Sequence, residues 1–240
     1  MTTNAAPLLR VEDLHTHYGK SHILRGVTFH VGKKEVISLL GRNGSGRSTT
    51  MKSIMGLVPL TSGEIRLNER RLAGARPYAI CRNGIAYVPE EREVFANLTV
   101  DENLRMGEQP AVPGAHQWKV EDMFDYFPRL KERRNTKAGS ISGGEQQMLT
   151  MCRSLLGNPL VILIDEPTEG LAPKIVAQVA ECIKDMHSKG VSVVLVEQKL
   201  AIALKVSTRV CVMGHGRIVF EGTPQQLAAD DKLLADWLAV

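Results

Sequence analysis

The sequence predicts an α/β fold: a mostly parallel core sheet, an N-terminal antiparallel β subdomain, and a helical insertion within the core. Three observations carry this. Glu35-Val-Ile-Ser-Leu-Leu40 reads as a buried strand that runs through a glycine-rich loop, from Gly41 to Gly46, into a helix opening at Ser48. From residue 160 onward, long apolar strands alternate with helical stretches, the pattern of a parallel sheet covered on both faces. Residues 90–134 break that alternation and read as polar helices around a Pro/Gly loop at 109–115.

Taken in order, residues 8–18 alternate loosely through Leu9, Val11 and Leu14, then turn at Tyr18-Gly19-Lys20. Residues 23–31 continue as strand, with Val27, Phe29 and Val31 against Thr28 and His30. Gly32-Lys33-Lys34 turns the chain into the strand at Glu35. After the loop helix, residues 56–63 break the pattern and 64–67 form a short alternating strand. Ile85-Ala-Tyr-Val88 is a buried strand ended by Pro89. Helical stretches follow at 100–106 and 120–134, the latter ending in the solvated charge run Lys131-Glu-Arg-Arg134. The last part holds strands at 160–164, 191–196, 210–213 and 217–221, helices at 174–188 and up to about 207, and one packing helix over 224–238.

Composition narrows the function classes. The 240 residues are 43% hydrophobic and 23% charged, and the net charge of +4 is spread without a basic run, which gives no argument for nucleic acid. Cys81, Cys152, Cys182 and Cys211 stand too far apart for a metal or disulfide framework and read as core thiols. His15 and His17 alternate along the first strand and are expected to point outward. Met1 to Leu9 has neither a basic leader nor an apolar stretch of signal-peptide length. No apolar run approaches the ~18 residues of a membrane span. The chain reads as cytosolic in character.

Chemistry concentrates in three stretches. Leu39-Leu-Gly-Arg-Asn-Gly-Ser-Gly-Arg-Ser-Thr49 has the spacing of a phosphate-binding loop, GxxxxGK(S/T), with Arg47 where a lysine is expected. Its glycines let backbone N–H groups turn inward around phosphate oxygens, and the following helix adds the positive end of its dipole. Val161-Ile-Leu-Ile-Asp165-Glu166 is an apolar strand ending in two acids. Asp165 can hold Mg2+ beside the hydroxyl of Ser48, and Glu166 can polarise a water in line with a γ-phosphate. Ser140-Ile-Ser142-Gly143-Gly144-Glu145-Gln146-Gln147 opens a second anion-binding helix with no strand before it. Two such helix starts are surplus to a monomer and make sense if each completes a site on a partner copy.

Here a resemblance becomes specific. SGGEQQ behind a phosphate loop, followed by LIDEP and TEGLAP, resembles the ATPase subunit of ABC transporters from about Leu9 to Gly222. YGKSHILRGVTF, GIAYVPEEREVFANLTVDENL, DEPTEGLAP and VLVEQ resemble the smaller ATPase of branched-chain amino acid importers, a group that includes urea and short-amide importers. The resemblance implies a P-loop NTPase of the ABC ATPase type, with a nucleotide-binding core over 1–89 and 154–240. Residues 90–153 would form the helical subdomain with its signature motif. ATP and Mg2+ are the implied cofactors.

Residue by residue, Tyr18 would stack on adenine, while Gly41, Asn43, Gly44, Ser45, Gly46, Arg47, Ser48 and Thr49 cradle the phosphates. Ser48, Glu90 and Asp165 would hold Mg2+, and Glu166 would be the general base. Ser142, Gly143 and Gly144, with Glu145 and Gln146 behind them, would reach the γ-phosphate across a dimer interface whose seam residues 168–173 line. Three positions depart from the general pattern: Arg47 for lysine, Glu90 for glutamine, and Gln198 for the switch histidine. Ile141 for leucine in the signature conserves volume. The implied partners are membrane permease subunits, a second ATPase subunit of the same or a different kind, and, indirectly, a solute-binding protein. The implied location is the cytoplasmic face of the inner membrane. The alternatives are an importer of urea or short amides, a soluble ABC ATPase acting on ribosomes or DNA, and a binding-only subunit in which Arg47 has abolished turnover.

Overall fold

The computed structural model describes residues 6–238, so the leader reading at the N-terminus rests partly on residues outside the described ones. Two sheets organise it. In the first, β1 (Leu9–Tyr18) and β2 (Ser21–Val31) form a hairpin in which Tyr18 faces Ser21. Next come β3 (Val36–Leu40) and α1 (Arg47–Ile54), which belong to the core. The chain then returns to the first sheet with β4 (Ser62–Leu67) and β5 (Arg70–Arg71), giving an antiparallel order β2-β1-β4-β5. Alternation produces this sheet as expected, since Leu9, Val11, Leu14, Val27, Phe29 and Val31 are all buried.

A short helix, α2 (Pro77–Arg82), was not visible in the residue pattern; its proline stands at the first helical turn, where no backbone donor is lost. After β6 (Ile85–Val88) come α3 (Val100–Arg105), α4 (Val120–Tyr126), α5 (Pro128–Glu132) and α6 (Gly143–Leu155). The chain ends with β7 (Val161–Asp165), α7 (Pro173–Ser188), β8 (Ser192–Val196), α8 (Leu200–Val206), β9 (Arg209–Gly214), β10 (Arg217–Gly222), α9 (Pro224–Ala228) and α10 (Asp231–Trp237).

The core sheet runs β10-β9-β3-β8-β7-β6. Strands β3, β6, β7, β8 and β9 are parallel, and the five residues of each of β3, β7 and β8 are buried throughout. The core sheet is mostly parallel, as expected, with one antiparallel edge: β10 runs antiparallel to β9, because His215 and Gly216, with φ of 50° and 77°, make a two-residue hairpin turn. One expectation is corrected. The stretch 224–238 is two helices rather than one, since the Asp230 carboxylate accepts from the Leu233 N–H at 2.9 Å and starts α10 afresh.

One apolar cluster joins α1, the first sheet and one face of the core sheet. On the other face, Ile162, Ile164, Val193 and Leu195 share a cluster with α7 and with Trp118, Phe124, Leu130 and Met148 of the helical insertion. Cys152, Cys182 and Cys211 are buried as expected, but Cys81 is exposed. The histidines of β1 are half-buried rather than simply outward: His15 and His17 both stack on His22 of β2. What matters for function is register. Leu39 and Asp165 both pair with Val196, so the chain leaves β3, β7 and β8 at adjacent points of one edge.

Candidate functional site

The loop leaving β3 is pressed onto the end of β9. A Cβ on Gly41 (φ +149°) would lie 2.4 Å from the Met213 carbonyl oxygen and 2.7 Å from Ser45 Oγ. Gly46 (φ +105°) then starts α1 with no side-chain cap and no acid in the first turn. The first bond back along the helix runs from the Thr50 N–H to the Gly46 carbonyl at 2.8 Å, so the N–H groups of Arg47, Ser48 and Thr49 have no intrahelical acceptor. Ser45 Oγ is buried without a hydrogen-bond partner. Such a helix start suits an anion.

Residues 43–49 line a cleft of about 270 Å³, closed by Glu90, Glu166, Glu169 and Gln198. That is below the ~300–1,000 Å³ of pockets that bury a whole ligand. A cleft of this size has room for a phosphate group but not for a whole nucleotide.

Behind the loop, Ser48 Oγ donates to Asp165 Oδ1 at 3.0 Å, and the Tyr87 hydroxyl donates to Oδ2 at 3.1 Å. Burial raises the Asp165 carboxyl above its usual range, against the pull of these two donors. The same desolvation, reinforced by the charge of Asp165, pushes the Tyr87 phenol up.

Glu166 follows with φ of 45° and turns its carboxylate into the cleft wall. Arg47 Nη2 donates to Oε1 at 3.1 Å and Gln198 Nε2 to Oε2 at 2.6 Å. Arg47 and Glu166 are only 5% and 6% exposed, so this is a buried ion pair. Arg47 also donates to Asn43 Oδ1 at 3.1 Å and to the Glu197 carbonyl at 3.4 Å. Burial raises the Glu166 pKa, opposed by the Arg47 charge and the Gln198 hydrogen bond.

Carboxylate oxygens of Glu90, Glu166 and Glu169 lie within 4.8 Å of one another, a group able to hold a divalent cation. Glu90 is raised by desolvation and then by the charges of Glu166 and Glu169. The expected metal set is thus divided: Ser48 pairs with Asp165, whereas Glu90 sits with Glu166 and Glu169.

Other expected residues lie elsewhere. Tyr18 is half exposed at the hairpin end and is not part of the cleft lining. Ser142 caps α6, accepting from the Glu145 N–H at 3.3 Å while Glu145 Oε2 accepts from the Ser142 N–H at 2.8 Å. Gln146 Nε2 donates to the Ala138 carbonyl at 3.0 Å. Over Gly143 lies Arg92, whose Nη1 a Cβ would meet at 2.0 Å. Residues 142–146 therefore stand outside the cleft of their own chain, at the capped start of α6, while α1 starts uncapped. Sequence reasoning missed Tyr87, which reads as one more strand residue, and placed Glu169 only within the seam segment 168–173, not in the cleft of its own chain.

A family model described as ABC transporter matches residues 24–169. The chain is 42% identical over 226 residues to the high-affinity branched-chain amino acid transport ATP-binding protein BraG of Pseudomonas aeruginosa, covering 94% of this chain and 97% of that protein. It is 35% identical to the probable branched-chain amino acid transport ATP-binding protein LivF of Archaeoglobus fulgidus, covering 94% and 96%. Among solved structures, the ATP binding subunit of an ABC transporter superposes with a TM-score of 0.82 at 30% identity, covering 95% of this chain and 97% of that one.

Proposed function

The chain belongs to the ABC transporter family, and we propose that it is the ATP-hydrolysing subunit of an importer of branched-chain or other hydrophobic amino acids. The observation that carries the hydrolytic reading is the convergence of the loop at 41–49 with Asp165, Glu166 and Gln198 at the ends of β3, β7 and β8. In this reading the uncapped N–H groups of Arg47, Ser48 and Thr49 bind the ATP phosphates, with Asn43, Gly44, Ser45 and Gly46 shaping the cradle and Gly41 folding it down. Tyr18 stacks on the adenine from outside the cleft.

Ser48, Asp165 and Glu90 would hold Mg2+, which when bound neutralises developing phosphate charge. Glu166 accepts the proton of the attacking water, and Gln198 orients its carboxylate. Arg47 exchanges Glu166 for phosphate oxygens when ATP arrives, which frees that carboxylate for the water.

Ser142, Gly143, Gly144, Glu145 and Gln146 serve the cleft of a partner ATPase subunit, and residues 168–173 line the seam. Residues 90–153 act as the helical subdomain on a core of 1–89 and 154–240. A permease docks in a groove of about 870 Å³ between α2, β6 and residues 106–113, at whose rim Tyr78 and Met106 are exposed. Among the described residues no helix is long and apolar enough to cross a membrane. In this reading the permease is a separate chain, and this subunit sits on the cytoplasmic face of the inner membrane. A solute-binding protein completes the importer.

The test is Glu166→Gln in the purified full-length chain. Loss of a general base should lower phosphate release by roughly 100-fold or more while ATP still binds. Unchanged release would overturn the assignment. Leucine uptake into vesicles carrying the reconstituted complex tests the solute.

A further inference from the structure

Glu197 stands between Val196 and Gln198 and is 2% exposed, a burial that a carboxylate tolerates only with partners. Its oxygens have three. Oε2 accepts from the Thr168 hydroxyl at 2.7 Å, and Oε1 accepts from the backbone N–H groups of Gln198 at 2.9 Å and Lys199 at 3.0 Å. Lys199 Nζ closes the same contact from the other side, donating to the Thr168 carbonyl at 3.0 Å. With the Gln198–Glu166 bond at 2.6 Å, these hydrogen bonds link Thr168 through Glu197 and Gln198 to Glu166, and the backbone through Pro167 closes the ring.

We propose that Glu197 is a positioning residue for hydrolysis: its carboxylate aims Gln198 at Glu166 and ties it to Thr168, the first residue of the segment that faces the partner subunit. The inference rests on the roles given above to Glu166 and Gln198. Gln198 reaches Glu166 through its side-chain amide, and fixing its N–H fixes the backbone position from which that amide reaches. Because the same carboxylate grips Thr168, a shift of the 168–173 segment on seating of the partner moves Gln198 with it. The partner's arrival is read at the reacting end of the cleft through one side chain that touches neither nucleotide nor partner.

The experiment measures ATPase kinetics of the full-length chain with Glu197→Ala, Glu197→Gln, Thr168→Val and the Glu197→Ala/Thr168→Val pair, beside Glu166→Gln. Glu197→Ala should lower kcat by roughly 10- to 100-fold, the scale of a misplacement of about 1 Å, with the KM for ATP changed less than about threefold. Glu197→Gln should restore most of kcat, because its amide oxygen accepts from both N–H groups and its NH2 donates to the Thr168 hydroxyl. The double variant should be no slower than Glu197→Ala alone.

Three results would overturn the inference: wild-type kinetics in Glu197→Ala, a parallel loss of kcat and ATP affinity that tracks thermal stability, or additive losses in the double variant. If Glu197→Ala does not fold, the nearly isosteric Thr168→Val carries the same kcat-against-KM test. Glu166→Gln separates the two levels. Full activity there sinks the hydrolytic reading itself, whereas an inactive Glu166→Gln beside a normal Glu197→Ala sinks only the positioning role.

Discussion

Arg47 donates to Glu166 across 3.1 Å from inside the phosphate loop, with both side chains almost fully buried. The cation that departs from the loop motif is thus bonded to the carboxylate assigned as base. Its planar fork also reaches Asn43 and the Glu197 carbonyl, contacts that a lysine ammonium could make only in part.

Arg47→Lys is therefore expected to loosen the hold on Glu166 while keeping the charge. ATPase activity of the full-length chain should be preserved or raised. A sharp loss would mean that the loop is built around the guanidinium. Arg47→Met, by contrast, leaves a buried carboxylate without its cation and should weaken ATP binding by roughly tenfold or more.

The pH profile follows from the same pair. A general base works only when ionised, and burial raises Glu166 above its usual value in the nucleotide-free site, so kcat/KM should fall on the acid side at a pH above the ordinary carboxylate range. Asp165 moves in the same direction. Arg47 opposes the shift while no nucleotide is bound, so Arg47→Met should move the acid limb to higher pH still, which kcat/KM measured across pH 5–8 would reveal.

Two loop glycines should respond differently to alanine. Gly41→Ala meets the Met213 carbonyl at 2.4 Å as well as an unfavourable φ, so the loop must lift, at a cost of about 2–3 kcal/mol. Gly44→Ala at φ +80° meets nothing within 4 Å and should cost only about 1 kcal/mol. Thermal melting of the two variants without nucleotide checks the order.

Away from the cleft, Arg209 makes a two-pronged contact to Glu35, Nε to Oε1 at 2.8 Å and Nη2 to Oε2 at 3.0 Å, and also reaches the His30 carbonyl. Burial alone would raise the Glu35 pKa, but the Arg209 bonds and the Gly32 N–H hold it below the usual value. A lowered carboxyl contributes stability above its unfolded pKa and loses it as pH falls through the folded one. Arg209→Ala should cost about 3 kcal/mol near neutral pH, a drop in Tm on the order of 6–12 °C, and the deficit should shrink in acid below pH ~4.

The sequence made the frame of the site legible because its signals are local. A glycine loop between an apolar strand and a helix, and acids at the tip of Val161-Ile-Leu-Ile, predict positions from spacing alone. Partnership between distant residues was not legible. Nothing around residue 197 says that its carboxylate meets Thr168, and nothing in Ile85-Ala-Tyr-Val88 says that Tyr87 reaches Asp165. Those contacts arise from the register of β6, β7 and β8, which no single strand encodes. The turn of β10 could have been read from His215-Gly216, a residue pair suited to a tight hairpin.

The apolar cluster shared by the helical insertion and the core sheet has a mechanical consequence. A segment with its own separate interior could swing on a tether at little cost. Here the insertion and the core sheet share one apolar interior, and turning one on the other would expose part of it to water. A shared interior of that kind favours small rotations of the insertion over wide swings.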